Sequence, residues 1–146
     1  MNKAKNIKKI FDNSLDIKAI VTFKKTNRKI IQKEQEILKK WNITLTQFGV
    51  LKILYHKEKS NVQDLIDSLF TTSGNMTLVL TNMEKNNLIK KEKNAHDKRL
   101  CLISLTEKGK NLINEIFPAY FEFFSKFLLN FTDDEKTKFI ELLLKV

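Results

Sequence analysis

Apolar residues recur at helical spacing through the first forty residues of the chain. Positions at intervals of three and four carry mostly large apolar side chains: Ile20, Phe23, Ile30, Ile37 and Trp41, with Asn27 and Glu34 filling the remaining two. An α-helix has 3.6 residues per turn, so it places such positions on one face. The pattern therefore predicts one long helix over residues 14–40 with an apolar stripe along one side.

Two shorter helices are predicted to follow. Residues 46–56 carry apolar side chains at helical spacing, and Thr46 stands where an N-cap belongs. Ser60 and Gln63 match a capping box, in which the hydroxyl accepts from a backbone N–H and the Gln side chain reaches back. This box predicts a second short helix that continues through Leu69.

A third helix is predicted after a tight turn. Thr72 can cap this helix, which runs to about Asn86 with Met76, Leu80 and Met83 facing inward. Two short helices joined by a turn of about three or four residues form a helix-turn-helix. The outward positions of the third helix are Ser73, Gly74, Asn75, Thr77, Leu78, Thr81 and Asn82.

A β-hairpin is predicted next, because the apolar residues no longer follow helical spacing. Residues 88–93 and 100–105 are short stretches that favour strands, and the polar residues 94–99 separate them. A hairpin directly after a helix-turn-helix is a wing. The predicted fold class is therefore mainly α with a small β-wing (α+β), built around a winged helix-turn-helix lobe.

The last part of the chain is rich in phenylalanine. Seven of the eleven Phe residues lie between positions 117 and 139. Thr106 can cap a long helix that runs to about Asn130, and Thr132 with Glu135 forms another capping box before a final helix. We expect the apolar side chains of this final helix to face inward: Phe139, Ile140, Leu143 and Leu144.

Both ends of the chain offer more apolar surface than a small lobe needs, and large apolar patches usually mark interfaces. We therefore expect both ends to pack against their copies in a two-fold homodimer. The predicted interface residues are Ile17, Ile20, Phe23, Phe117, Phe121, Phe124 and Phe131. The alternative is a core within one chain, formed by the first and last helices. In the dimer, one continuous domain comprises an N-terminal dimerisation helix (1–43), the winged lobe (44–106) and C-terminal dimerisation helices (107–146).

The charge distribution narrows the choice of partner. The net charge is +10, and residues 1–60 alone hold 15 basic against 5 acidic side chains, which also gives +10. Such a surface attracts nucleic acid, an anionic membrane or an acidic protein. Only two of the 27 basic residues are arginines, Arg28 and Arg99. Charge alone therefore indicates an anionic partner without identifying it as DNA.

The sequence carries little that would support enzymatic chemistry. Cys101 is the single cysteine, so we expect neither an intrachain disulfide nor a Cys-based zinc site. There is no glycine-rich phosphate loop, and His56 and His96 have no recognisable nucleophile as partner. We expect no catalytic residue, no metal and no cofactor. Since the N-terminus lacks an uninterrupted apolar run and no stretch is long enough to span a bilayer, we expect a cytoplasmic protein without a membrane partner.

Four short motifs in register carry a resemblance to a known family. They are Leu45–Leu51, Met83–Ile89, the triplet Asp97-Lys98-Arg99, and Leu105–Gly109. In this order, residues 44–118 resemble the MarR family of bacterial winged-helix transcription regulators. Two positions depart from the family pattern. Asn87 stands where Gly is common, although Asn tolerates a left-handed backbone. Leu78 stands where many relatives carry a polar or basic residue.

The resemblance implies a sequence-specific transcriptional regulator of double-stranded DNA, most simply a repressor. In that role Asn75 would pair with adenine, Thr77 and Leu78 would touch thymine methyl groups, and Ser73 would meet a phosphate. Arg99 would enter the minor groove and Asp97 would orient it. The full set of DNA-binding residues is Thr72, Ser73, Asn75, Thr77, Leu78, Thr81, Asn82, Asp97, Lys98 and Arg99.

The resemblance also implies a regulatory ligand and a symmetric target. A two-fold dimer requires a pseudo-palindromic operator, with half-sites about one turn of DNA apart. Relatives bind a small phenolic or amphipathic effector, for which the pocket residues here would be Phe23, Trp41, Phe48, Phe117 and Tyr120. Two other functions stay open from the residues alone. One is a winged-helix protein–protein adaptor, and the other is an architectural DNA-binding protein without a regulatory ligand.

Overall fold

The computed structural model describes residues 14–93 and 101–146, which form six helices and a three-stranded sheet. The elements follow in the order α1 Leu15–Lys39, α2 Leu45–Lys57, β1 Lys59–Asn61, α3 Val62–Ser68, α4 Ser73–Lys85, β2 Ile89–Lys93, β3 Cys101–Leu105, α5 Glu107–Phe127 and α6 Asp133–Leu143. The mainly α fold with a small β-wing predicted from the sequence is confirmed. Within the described ranges, no helix combines the length and apolarity needed to cross a membrane.

The chain divides into two units between Glu36 and Ile37. The described part of the first unit is the helical stretch 14–36, which contains no buried residue. The second unit holds the hydrophobic core. Its buried side chains come from the end of α1, from α2, α3 and α4, from the strands and their flanks, and from α5, and Phe48 is the largest of those that are fully buried. The core of the winged lobe is therefore completed by Leu38 at the end of α1 and by Ile113 and Ile116 of α5.

The sheet has the strand order β1-β3-β2, with both neighbouring pairs antiparallel. The short strand β1 was not predicted from the sequence. It places Ser60 opposite Ile103 of β3, and Ser60 is buried there. The predicted capping box at Ser60 is therefore wrong. Asn61 caps α3 instead, since its side-chain oxygen accepts from the backbone N–H of Asp64 at 2.8 Å.

Helix α2 begins at Leu45, one residue before the predicted range of 46–56. Thr44, and not Thr46, is its N-cap, and the Thr44 hydroxyl accepts from the backbone N–H of Gln47 at 3.2 Å. The Gln47 side chain accepts from the Thr44 N–H at 2.9 Å, which completes a capping box. Two other predicted caps are confirmed. Thr106 caps α5, and Thr132 caps α6 in a box with Glu135.

The C-terminal helices leave their apolar side chains exposed in the single chain. Helix α6 has no buried residue, so the expected inward placement of its four large apolar side chains is wrong within one chain. On α5, Phe121 is 65% exposed, and Phe117 is about half exposed. These side chains are hydrocarbon, so a partner surface could cover them without breaking any hydrogen bond to water. The helices therefore present an apolar face that lacks a cover within the described chain.

Candidate nucleic-acid interface

Helix α4 has one buried face and one exposed face. Thr72 is its N-cap, as predicted, and accepts from the backbone N–H of Asn75 at 3.3 Å. The inward residues predicted from the spacing are all buried, and Val79, which the prediction omitted, is buried beside them. This burial fixes the rotation of the helix about its axis. It therefore decides which side chains α4 presents to solvent.

The exposed face is the one predicted to read DNA, and all seven predicted outward residues lie on it. Two of them make local hydrogen bonds. The Asn75 amide donates one of its two N–H groups to the Thr71 hydroxyl at 2.8 Å. This bond fixes the direction of the side chain and leaves the amide oxygen and the second N–H for a base. The Thr77 hydroxyl donates to the Ser73 carbonyl at 2.8 Å, so Thr77 presents its methyl group and oxygen lone pairs. These side chains suit an adenine edge and a thymine methyl group respectively.

The turn before α4 holds a large aromatic side chain in an unusual place. Phe70 has a φ of 47° and is 98% exposed. The Thr71 N–H donates to the Ile66 carbonyl at 3.2 Å, which closes the end of α3 around Phe70. This position after a helix usually takes glycine, because a left-handed conformation costs other residues free energy. Sequence reasoning did not single out Phe70.

A second left-handed residue connects α4 to the wing. Asn87 has a φ of 56°, so the sequence expectation that Asn would replace Gly in this turn is confirmed. The Thr106 hydroxyl donates to the Asn87 carbonyl at 2.6 Å, and the Thr106 N–H donates to the Leu88 carbonyl at 3.1 Å. The start of α5 therefore holds the turn that leads into β2. This contact joins two of the four sequence motifs.

Gly109 explains why the last motif ends in glycine. A Cβ atom at this position would lie 2.1 Å from the Leu88 carbonyl oxygen and 3.1 Å from its carbonyl carbon. Only glycine allows the first turn of α5 to approach this backbone so closely. The end of α4 and the start of α5 are thereby held together.

The base of the wing carries paired charges. Lys59 of β1 and Lys90 of β2 both contact the Glu92 carboxylate, at 3.0 and 2.7 Å. Hydrogen bonds from Lys90 and Lys59 lower the pKa of Glu92 to about 2. On the other side of β2, Lys91 pairs with Glu84 of α4 at 2.6 Å. These three lysines and two carboxylates together carry a net charge of +1 at the base of the wing.

The predicted wing tip lies outside the described residues. The structure describes β2 and β3 but not residues 94–100, which include Asp97, Lys98 and Arg99. Their assignment to the minor groove stays a prediction. Cys101, the first residue of β3, is half-buried.

The residues predicted to line an effector pocket are only partly brought together. Phe48 is 1% exposed and packs edge-on against Tyr120, with 4.8 Å between ring centroids. Lys52 stands 5.0 Å from both ring centroids and donates to the Tyr120 hydroxyl at 3.2 Å. Sequence reasoning missed Lys52, because only the packing of α2 on α5 places it there. Trp41 is half-buried against the core.

The other two predicted pocket residues lie elsewhere. Phe117 lines a separate apolar cavity of about 470 Å³ on α5, together with Tyr55 of α2. Phe23 belongs to the first unit, where it is exposed. Within the second unit, the cavity at Phe117 is therefore separate from the Phe48 and Tyr120 rings. In residues 14–93 and 101–146, no cluster of ligating side chains could hold a metal ion.

The residues predicted to form the dimer interface are mostly exposed in the single chain. Ile20 and Phe23 are exposed on α1, and Phe117, Phe121 and Phe131 are exposed near the C-terminus. Ile17 and Phe124 are half-buried, and Phe124 packs against Tyr120.

Comparison with known proteins identifies the family to which this chain belongs. The profile of the family described as "Transcriptional regulator SarA/Rot" matches residues 32–116, from the end of α1 into α5. The chain belongs to this family of transcription regulators. Similarity to SarZ, an HTH-type transcriptional regulator from Staphylococcus epidermidis, supports this assignment. The two are 32% identical over 116 residues, which is 80% of this chain and 77% of SarZ.

Solved structures show the same fold. A MarR mutant from E. coli complexed with operator DNA superposes with a TM-score of 0.78 at 23% identity, over 93% of this chain and 96% of that one. NadR in complex with 4-hydroxyphenylacetate gives a TM-score of 0.75 at 22% identity, over 86% of this chain and 89% of NadR. The MarR resemblance read from the four motifs is confirmed. The protein is a DNA-binding transcription regulator with a MarR-type winged-helix fold.

Proposed function

We propose that this SarA/Rot-type regulator is a cytoplasmic, homodimeric repressor without enzymatic activity. It binds a pseudo-palindromic operator through α4 and the wing. The observation that carries this proposal is the exposed face of α4. That face offers an amide at Asn75, a methyl group at Thr77 and a capped helix N-terminus at Thr72, all held in place by a buried opposite face. A helix with such a face fits the major groove.

The dimer is supported by the uncovered apolar face of α5 and α6. Phe121 of α5 and Phe139 and Ile140 of α6 are all exposed in the single chain. A patch of this kind on a small basic protein favours association with a second copy. Two copies would place two α4 helices on one duplex, with half-sites about one helical turn apart.

Sedimentation equilibrium and footprinting together test this proposal. Sedimentation at micromolar concentration should give about twice the chain mass of 17.2 kDa. Phe121→Glu should yield a monomer and weaken operator binding. Asn111→Glu is the control, because it adds the same charge to an exposed position of α5 outside the predicted interface. Footprints on a duplex selected from a random pool should show two protected half-sites about 10 base pairs apart. A wild-type monomer, or one unpaired footprint, would contradict the proposal.

We further propose that a small phenolic or amphipathic effector releases the protein from its operator. NadR, which shares the fold, binds 4-hydroxyphenylacetate. The local chemistry supports the same class of ligand here, since the Phe48 and Tyr120 rings and the Lys52 ammonium form an aromatic cluster with a cation. 4-Hydroxyphenylacetate should weaken operator binding of the wild type. Lys52→Met should abolish this response while leaving DNA affinity without effector unchanged.

A further inference from the structure

Helix α1 carries a dense set of positive side chains on one side. Successive helical residues are separated by about 100° around the axis, so five of its cationic positions fall within one half of the helix. All five are exposed. We call them the α1 basic face: Lys24, Lys25, Arg28, Lys29 and Lys33. The whole face lies within the first unit.

Most of this positive charge lacks a carboxylate partner. Lys33 contacts Glu36 at 2.8 Å, and within residues 14–93 and 101–146 the other four cations make no ion pair. Helix α1 has two more acidic residues, but Asp16 lies more than two turns before the face and Glu34 lies on the opposite side of the helix. With Glu36 included, the face carries a net charge of +4.

The spacing of the cations makes them repel one another. Like charges four residues apart stand over each other on a helix and destabilise it. The α1 basic face contains three such pairs, Lys24–Arg28, Lys25–Lys29 and Lys29–Lys33. The helical stretch 14–36 has no buried residue that would offset this repulsion within one chain. An anion bound along the face would replace the repulsion by attraction.

The recognition helix, in contrast, brings almost no charge to DNA. Helix α4 contains one acidic and one basic residue, Glu84 and Lys85, and Lys91 of β2 pairs with Glu84 at 2.6 Å. Affinity for DNA depends strongly on cations that neutralise phosphates and release counterions. A regulator with a neutral recognition helix must therefore meet phosphates with other elements. Of the described elements, α1 holds the most basic side chains, seven.

The shape of the α1 basic face suits a row of phosphates better than a single small anion. Five cations lie along about 14 Å of helix axis, and a DNA duplex carries one negative charge per about 1.7 Å. Arg28 is one of only two arginines among 27 basic residues. Its planar guanidinium can donate two parallel hydrogen bonds to one phosphate, which an ammonium group cannot do. The face therefore combines a line of charge with one group of directed donors.

An anionic membrane fits this helix less well. A helix that lies in a membrane interface needs an unbroken apolar side opposite its basic side. The apolar stripe of α1 is interrupted by Asn27 and Glu34. The protein is moreover a DNA-binding regulator, so duplex DNA is a polyanion that it meets in function. The observations favour DNA as the partner of the face.

We propose that the α1 basic face binds the phosphate backbone of duplex DNA, as a sequence-independent site separate from α4. Arg28 donates to phosphate oxygens, and the flanking lysines form ion pairs with neighbouring phosphates. The site adds affinity without specificity, and thus goes beyond the proposed reading of bases by α4. Two sources of duplex share this chemistry, namely the DNA that flanks the operator and a second DNA molecule.

The salt dependence of binding to a labelled scrambled duplex, followed by fluorescence anisotropy, tests the site. The neutralised variant is Lys25→Gln, Arg28→Gln and Lys29→Gln combined. Each lost phosphate contact removes about 0.9 from the slope of log affinity against log salt, so the slope should fall by about 2–3 for each bound chain. The control variant combines Lys126→Gln, Lys138→Gln and Lys145→Gln, which removes the same charge from exposed positions of the second unit. Its slope should fall by less than about one.

The neutralised variant should fold at least as well as the wild type. Glutamine has nearly the helix propensity of lysine and arginine, and the substitutions remove all three like-charge pairs. Far-UV circular dichroism and thermal melts check this. Arg28→Gln alone should lower the slope by about 0.9, which gives a second reading from a minimal change. Asn75→Ala tests the proposed base reading separately, since it should change discrimination between DNAs and not the slope.

Two further measurements distinguish the sources of the duplex. If the face binds flanking DNA, wild-type affinity should rise when an operator duplex cut to its footprint is lengthened with scrambled flanks. If it binds a second molecule, a differently labelled scrambled duplex should sediment together with the protein–operator complex. The neutralised variant should lose whichever of the two effects the wild type shows.

Three results would overturn the proposal. The first is a wild-type salt slope in the neutralised variant, and the second is an equal fall in the control variant, which would reflect net charge alone. The third is a wild type that gains nothing from flanks and holds no second duplex. Vesicles with anionic lipid provide the test of the rival partner. Vesicle binding that the neutralised variant loses, with its DNA slope unchanged, would assign the face to a membrane.

Discussion

Replacement of Gly109 by alanine should destabilise the protein, although alanine is normally the better helix residue. The added Cβ would lie 2.1 Å from the Leu88 carbonyl oxygen, whereas close carbon–oxygen contacts lie at about 3.3–3.6 Å. The overlap exceeds 1 Å, and the obstacle is backbone, which cannot rotate away. The same carbonyl accepts from the Thr106 N–H, so a displacement also strains that bond. Overpacking of this kind costs roughly 1–3 kcal/mol, and occasionally more.

Two opposing terms set the expected magnitude. Alanine gains about 1 kcal/mol over glycine within a helix. The clash at Gly109 should cost about 3 kcal/mol or more, the upper end of the usual range for overpacking, because the Cβ is fixed to one backbone and meets another. We therefore expect a net loss of about 2 kcal/mol in the free energy of unfolding. Gly74 supplies a matched control, since its added Cβ would meet nothing within 4 Å. Gly74→Ala should stabilise by about 0.5–1 kcal/mol.

Urea unfolding followed by circular dichroism measures both variants. All samples should be at one protein concentration, because dimerisation makes apparent stability concentration-dependent. The two substitutions are chemically identical, so about 2.5–3 kcal/mol should separate them. If Gly109→Ala were as stable as Gly74→Ala, α5 would not lie against the turn after α4, and the described contact between that turn and the start of α5 would be incorrect.

Two further predictions concern stability. Phe70→Gly should raise the free energy of unfolding by about 1 kcal/mol, because Phe70 adopts a φ of 47° while its side chain contributes no buried area; a destabilised variant in thermal melts would show that the ring has a structural contact. The pKa of Glu92 lies at about 2, below its ordinary value of 4.5, so its stabilising pairs with Lys59 and Lys90 are fully present above pH 4.5 and are lost as the pH falls toward 2. Glu92→Gln should therefore reduce the loss of stability between pH 4.5 and 2, and an unchanged acid-unfolding profile would contradict this.

Local signals predicted much of the recognition helix. The cap at Thr72 and the buried positions of α4 follow from neighbours within two turns of one helix. The left-handed turn at Asn87 likewise depends on one residue's own backbone preference. The box at Thr44 and Gln47 was also visible in the sequence, but Thr46 stands two residues later and offers the same hydroxyl. The box at Thr44 is the stronger local signal, because Gly49 stands three residues after Thr46 and cannot reach back to its N–H.

The features that sequence reasoning missed depend on contacts between distant residues. Ser60 is buried because it pairs with Ile103, more than forty residues further along the chain. Lys52 stands over two rings only because α2 packs on α5. The row that joins Lys59, Ser104 and Lys90 exists because three separate strands align in one register. No periodicity in one segment encodes such a row.

We expect the exposed face of α4 to read bases. The most direct test is a salt titration of affinity for a selected operator and for scrambled DNA, with wild type, Asn75→Ala and two controls. Thr71→Ala removes the same local hydrogen bond as Asn75→Ala but keeps the amide, and Asn130→Ala removes an exposed amide elsewhere.

Asn75→Ala should cost about 1–3 kcal/mol on the operator and little on scrambled DNA, with an unchanged salt slope, because a base contact releases no counterions. Both controls should keep most of the wild-type discrimination. If Asn75→Ala instead weakened both DNAs equally, or bound the operator like the wild type, this face of α4 would not read the sequence.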